Sequence, residues 1–194
     1  MEAKFSKRLL AYIIDVAILG IVLFLTNIII PKNNDIKNLN IELDALNEQY
    51  LNQEVSFEEY LNDYSEISYE LDRQNSIYTV VNIVFVIGYF IVLPYFSKGQ
   101  TIGKKIFKVK VVKQDGKLTI TSLIVRNLII NGLAYLLITL LLLYTLPAYI
   151  YFITTSILSI IQLILMIIIT IGIIKNNSNL IIHDRLSHTK VVNV

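Results

Sequence analysis

The feature that most limits what this chain can become is a carboxylate set inside an apolar run. From Leu9 to Ile30 the sequence is almost wholly apolar, long enough to cross a bilayer as one helix, for which about 20 residues suffice. Asp15 lies about two turns inside the basic edge formed by Lys7 and Arg8. Facing lipid there would cost roughly 2.5–3.5 kcal/mol, so Asp15 is expected to face a protein interior or water. Arg8 sits seven residues earlier on nearly the same helical face, but about 10 Å away along the axis. The two are too far apart to pair, so each needs a partner from elsewhere in the chain.

With 55% hydrophobic and only 16% charged residues in 194, the chain suits a small polytopic membrane protein rather than a soluble domain. Cysteine is absent, which excludes disulfides and thiolate metal sites. The basic start followed by an apolar run imitates a signal peptide, but the run is too long and lacks a small-residue cleavage site, so it reads as an uncleaved span. Abundant Ile, Asn, Lys and Tyr point to an AT-rich, bacterial source. The net charge of +2 hides an asymmetry. Residues 31–76 carry eleven acids against Lys32, Lys37 and Arg73, whereas residues 98–126 carry seven lysines and Arg126 against Asp115. The positive-inside rule then puts the N-terminus, the central loop and the C-terminus in the cytoplasm and the acidic segment outside, which requires an even number of crossings of the plasma membrane.

Four spans are predicted, at about 9–30, 77–96, 123–146 and 150–174. The first is expected to stop at Pro31, before a polar turn of Lys32, Asn33, Asn34 and Asp35. Between the first two spans, residues 36–72 predict an extracytoplasmic αα hairpin. Ile36, Leu39, Leu43, Leu46 and Tyr50 mark one arm, and Phe57, Tyr60, Tyr64, Ile67 and Leu71 mark the other, at the spacing of an antiparallel coiled coil. Ser56 followed by Glu59 reads as a capping box for the second arm, which then runs unbroken into the second span as far as Phe96. Pro94 should kink or end that span. Thr101 should cap a short interfacial helix, Ile102 to Phe107, with Lys104, Lys105 and Lys108 reaching anionic lipid headgroups. Phe107 to Val111 alternates with period two. The Asp115-Gly116 turn before Leu118-Thr119-Ile120 then predicts a small cytoplasmic β-hairpin within residues 98–120, to which Lys190-Val191-Val192 could add a third strand. Pro147 with Tyr144, Tyr149 and Tyr151 marks an outer turn at headgroup level. The predicted architecture is thus an all-α membrane protein of four transmembrane helices, with an outer helical hairpin and an inner β-hairpin.

Strong polar groups collect toward the cytoplasmic half: Arg8, Asp15, Arg126, Asn127, Asn131, Asp184 and Arg185. One reading is a structural ion-pair cluster, since Arg–carboxylate pairs are geometrically specific and costly to leave half made. The other is a cation or proton site, because an intramembrane carboxylate that exchanges H⁺ for a metal ion is the simplest basis for antiport. Both stand for Asp15; for Asp184, beside Arg185 at the membrane edge, the structural reading is favoured. Asn82, Asn131 and Gln162 could supply oxygen ligands to a hard cation, or bond between helices. His183 and His188 lack a third ligand for zinc. Residues 99–105 lack phosphate-loop spacing, the basic loop is better explained by a membrane than by nucleic acid, and no nucleophile–base or metal set indicates an enzyme or a cofactor.

Several of these residues carry a resemblance. Arg8 and Asp15 in the first span, Gly99-Gln100-Thr101-Ile102-Gly103-Lys104-Lys105 after the second, and His183-Asp184-Arg185-Leu186 with Thr189-Lys190-Val191-Val192 at the end resemble the RDD family, named for one arginine and two aspartates. By that resemblance they are Arg8, Asp15 and Asp184. The long segment between the first two spans departs from the family pattern. The resemblance implies membrane transport, with some members associated with sodium–proton exchange. Four spans make a thin wall for a pathway, so transport would require a homodimer or larger assembly. The competing expectation is a non-catalytic accessory or scaffold protein that binds a partner through residues 36–72.

Overall fold

The computed structural model describes residues 2–29, 34–175 and 182–194. The predicted stop at Pro31 lies outside the described residues, with Lys32 and Asn33 of the polar turn, while Asn34 and Asp35 open the next helix. Helix α1 (Phe5–Ile29) is one long apolar rod. The segment that follows forms α2 (Asn34–Leu51) and α3 (Phe57–Gln74), which pack on each other. Ser56 caps α3 as expected, its hydroxyl accepting from the Glu59 amide at 3.2 Å.

The arms meet only in part along the anticipated seam. Tyr60 stacks on Tyr50 at 4.4 Å and donates its hydroxyl to Asn47 at 2.9 Å, and Ile67 is buried. Phe57, by contrast, is 62% exposed, and Tyr64 turns away from α2 to meet Phe152 edge-on at 5.5 Å. A helix lying between two neighbours divides its apolar face between them, so α3 is not one half of a simple two-stranded seam.

The second span is also less continuous than expected. Asn75 separates α3 from α4 (Ser76–Ile87), a π-helical turn follows at Gly88–Val92, and α5 (Leu93–Phe96) completes the rod. The wide turn lies immediately before Pro94, which has no amide hydrogen to give the Phe90 carbonyl four residues back. That carbonyl is satisfied from another helix, by Asn127 Nδ2 at 3.0 Å.

Beyond the exit turn, Thr101 caps α6 (Ile102–Ile106), accepting from the Lys104 amide at 3.4 Å. Strand β1 (Val109–Lys113) follows, then α7 (Ile120–Ile130), capped by Thr119. Helix α8 (Leu133–Leu143) is bent from α7 by 74°, so the third apolar segment is not a straight rod. The break falls at Gly132, whose φ of +62° is left-handed and whose missing Cβ would lie 3.3 Å from Gln162 Nε2. Helix α9 (Ala148–Ile174) runs back without a break, and α10 (Ile182–Leu186) leads to β2 (Thr189–Asn193).

The predicted β-hairpin is corrected. Gly116 does turn, at φ +89°, but Thr119 is taken up as a helix cap, and β1 pairs antiparallel with β2, Val111 opposite Val191. Val109, Val111, Thr189 and Val191 all point inward, a shared alternation that the short stretch Leu118 to Ile120 cannot match. Near the start of the chain the Ala3 amide donates to Val191 O at 3.0 Å, adding to that edge.

Among the described residues three helical rods, Phe5–Ile29, Ser76–Phe96 and Ala148–Gly172, are long and apolar enough to cross a membrane, as the bent pair α7–α8 is when taken together. Only 11%, 22% and 6% of the rods' most apolar windows is buried within the chain, so most of that apolar surface faces outward, as lipid requires. Each of the four segments runs between the end that carries the sheet and the end that carries α2 and α3. The apolar core, with Ala11, Phe90, Val109, Leu123 and Val191, sits at the sheet end.

A buried charge cluster at the sheet end

Asp15 faces neither lipid nor an arginine; it is 0% exposed and receives donors from two other elements. Tyr89, on the π-helical turn, donates its hydroxyl to Oδ1 at 2.6 Å, and the Gly103 amide donates to the same oxygen at 2.8 Å. Thr101 Oγ1 donates to Oδ2 at 2.5 Å, and Lys104 Nζ stands 3.6 Å from that oxygen. The carboxylate therefore pins the start of α6 onto α1. Gly103 permits the approach, because a Cβ there would fall 2.2 Å from the Ala11 carbonyl oxygen and 2.8 Å from Asp15 Oδ1.

Asp184 on α10 gathers the two arginines. Arg8 Nη2 donates to Oδ2 at 2.8 Å, and Arg126 Nη1 donates to Oδ1 in a very short contact. The same Arg126 nitrogen reaches Thr189 Oγ1 at 3.0 Å, and Thr189 is joined to Ser187 at 2.6 Å between hydroxyl oxygens. One carboxylate thus ties α1, α7 and the approach to β2 together. Burial pushes the Asp184 carboxyl up, but the guanidinium groups of Arg126 and Arg8 outweigh it and hold the group below its ordinary value.

Arg8, Arg126 and Asp184 are therefore brought together, and Asp15 stands in a second arrangement with Lys104, which lines the same cavity as the two arginines. Arg185, expected in the same cluster, is exposed and joins no ion pair among the described residues. Lys104 is corrected from a headgroup lysine to an internal one, since α6 turns it toward Asp15 while Lys105 and Lys108 remain exposed. Burial, only partly offset by Asp15, pulls its ammonium down to about 8. None of the four partners of Asp15, Tyr89, Thr101, Gly103 and Lys104, was assigned to it from the sequence. The signal was available in Thr101-Ile102-Gly103-Lys104, which places a hydroxyl, a bare amide and an ammonium within one turn.

A cavity of about 150 Å³ opens beside this cluster, lined by Arg8, Lys104, Arg126 and His183 and by apolar side chains that include Met166 and Ile169. It shares Tyr12, Phe90, Asn131 and Met166 with a cleft of about 360 Å³ that continues toward mid-span, and there Asn82, Asn131 and Gln162 come to one lining. Through Leu136 that cleft abuts a further hollow of about 400 Å³ near the α2–α3 end, walled by Asp72, Thr139, Tyr151 and Ser159. Asn127 and Asn131 are engaged with each other, Asn131 Nδ2 donating to Asn127 Oδ1 at 2.5 Å.

Among known proteins, the family model described as RDD family matches residues 2–188. No curated protein and no solved structure matches the chain.

Proposed function

Because the chain belongs to the RDD family, we propose that it is a small membrane transporter that exchanges a cation such as sodium for a proton at the Asp15–Lys104 pair. The observation that carries this reading is a wholly buried carboxylate whose only cationic partner among the described residues, Lys104, also lines the cavity leading to Asn82, Asn131 and Gln162. In the resting arrangement the ammonium sits beside Asp15 Oδ2. A sodium ion arriving from the cleft takes that position, Lys104 releases one proton to water, and the charge of the site is unchanged. An ammonium held near 8 by burial gives up that proton close to neutral pH. The basic sheet end is assigned to the cytoplasm by the positive-inside rule, and α7–α8 then counts as one broken span, giving four crossings of the plasma membrane. Two copies side by side would complete the wall that four segments leave thin.

Proteoliposomes containing only this protein and an internal pH dye test the reading. A sodium gradient should drive opposite proton movement in wild type, reduced at least about tenfold in both Asp15→Asn and Lys104→Gln. Flux no greater than in empty vesicles would end it.

The acidic hairpin supports a second reading, in which it docks a protein partner and the polar cluster only locks the bundle. Its tip presents Leu51, 77% exposed, and Phe57, 62% exposed, in an otherwise acidic segment. Crosslinking in native membranes should then capture a partner that is lost on deleting residues 36–72. An unchanged crosslinking pattern after that deletion removes this alternative.

A further inference from the structure

The buried charges at the sheet end do not sum to zero. Arg8, Arg126 and Lys104 bring three positive charges, and Asp15 and Asp184 bring two negative ones, with side chains at most 16% exposed. An uncompensated charge away from water is costly, so the arrangement calls for one more negative group. Geometry says where it belongs. All three cations line the 150 Å³ cavity, and neither carboxylate does.

His183 gives a second, independent indication. Its side chain lines the same cavity at 0% exposure, and neither ring nitrogen has a hydrogen-bond partner among the described residues. Nε2 comes no nearer than 3.5 Å to Asp184 Oδ1, without hydrogen-bond geometry. Burial, reinforced by Arg126, holds the imidazole down at about 3, so it is neutral at pH 7 and must keep one N–H, a buried donor with nothing to bond. Asp184 engages one nitrogen of each guanidinium, leaving further N–H groups of both arginines unclaimed by it. Of the two amide oxygens in the lining, Asn127 Oδ1 already accepts from Asn131 Nδ2 at 2.5 Å, and both amide nitrogens add to the donors rather than balance them. The cavity is rich in donors and short of acceptors.

We propose that this cavity binds a negatively charged phosphate group, held by Arg8, Arg126, Lys104 and the His183 N–H. Fork-shaped guanidinium groups suit phosphate oxygens, and one net negative charge restores neutrality. The volume admits a phosphate group and little more. Much of its remaining wall, with Phe5 and Leu9 on α1 and Met166 and Ile169 on α9, is apolar, and at Leu9 it reaches the exposed apolar surface of α1. A phospholipid whose chains stay outside along α1 and α9 is therefore the source this wall favours, and free phosphate is the other. The site goes beyond the exchange reading and does not depend on it.

Purified, delipidated protein in neutral detergent should be titrated with phosphatidylglycerol, with phosphatidylcholine and with inorganic phosphate, followed by native mass spectrometry and thermal shift. Phosphatidylglycerol is expected to be retained at least about tenfold better than phosphatidylcholine. Ile169→Phe, which fills the cavity and leaves every charge in place, should reduce that preference about tenfold, and His183→Phe about threefold. Leu9→Trp, at a half-exposed position of the same wall, serves if Ile169→Phe does not fold. A thermal shift with inorganic phosphate equal to that with phosphatidylglycerol supports the anion site and assigns it to the free ion. Equal retention of both lipids, no shift with phosphate and no effect of either filling variant would overturn the proposal. None of these readouts involves sodium flux, so failure of exchange and failure of this site are separable.

Discussion

The two ends of the bundle are fastened by different chemistry. At the sheet end, buried charges from four parts of the chain meet in two arrangements around Asp15 and Asp184. At the α2–α3 end, tyrosine hydroxyls do the joining: Tyr69 donates to Leu143 O at 2.9 Å, Tyr144 to Ser76 Oγ at 2.9 Å, and Tyr151 to Asp72 Oδ2 at 2.8 Å. A hydroxyl's hydrogen bond contributes about 1–2 kcal/mol and is replaced by water when broken, whereas a buried ion pair that loses one partner leaves a charge with no substitute. The sheet end is thus committed to one arrangement of α1, α6, α7 and α10. The other end tolerates variation.

The strongest way to break this contrast is Asp184→Asn. It leaves two buried guanidinium groups facing a neutral amide and should destabilise the protein by about 3–5 kcal/mol, read as a drop in the thermal midpoint in detergent. A loss below about 1 kcal/mol would mean that water reaches the cluster and that the two ends do not differ.

Acid separates them next. The unfolded chain protonates His183 near its ordinary value of 6.5, but the folded chain holds it down to about 3. Between those values the unfolded state binds more protons, so stability is lost progressively as pH falls through that window. Asp184, held below its ordinary value, adds a further loss at lower pH still, as it protonates. His183→Phe should flatten the dependence between pH 6.5 and 4.5 while the steeper loss below pH 4 persists. Thermal midpoints across that range in wild type and variant check the sign.

Gly103→Ala tests how tightly the sheet end is closed. Its methyl group would meet the Ala11 carbonyl at 2.2 Å, so α6 must lift from α1, at about 1–3 kcal/mol for overpacking. Lys104 should become more reactive toward an amine reagent in the same variant. Unaltered labelling would show that α6 is not seated as described.

Much of this was legible because it is local. The apolar segments, the caps at Ser56 and Thr101, and the need of Arg8 and Asp15 for separate partners follow from spacing along one helix. What escaped depends on distant residues. The Asp115-Gly116 turn is real, yet the choice of β2 as partner for β1 is decided by a strand almost eighty residues further on. Lys104 sits on a five-residue helix, too short for periodicity to say which face is buried. Tyr64 fits a two-helix seam by spacing, but α9 competes for it. The bend at Gly132 required knowing that Gln162 packs behind it.

The smallest effect is expected from Tyr151→Phe, and it is the most discriminating about the hairpin end. The ring keeps its packing, edge-on to Tyr69 at 5.5 Å, and only the bond to Asp72 is lost. Burial already pushes the Asp72 carboxyl up, and the Tyr151 hydroxyl pulls it back. Without that hydroxyl the carboxyl should titrate higher still. The lost bond should cost about 1–2 kcal/mol at pH 7, and the cost should shrink as pH falls and the carboxyl protonates. A cost as large as that of Asp184→Asn would mean that Asp72 is as rigidly charged as the carboxylates at the sheet end, and the distinction between the two ends would collapse. A midpoint unchanged at every pH would mean that the hairpin is held by apolar packing alone, with its hydroxyls contributing nothing.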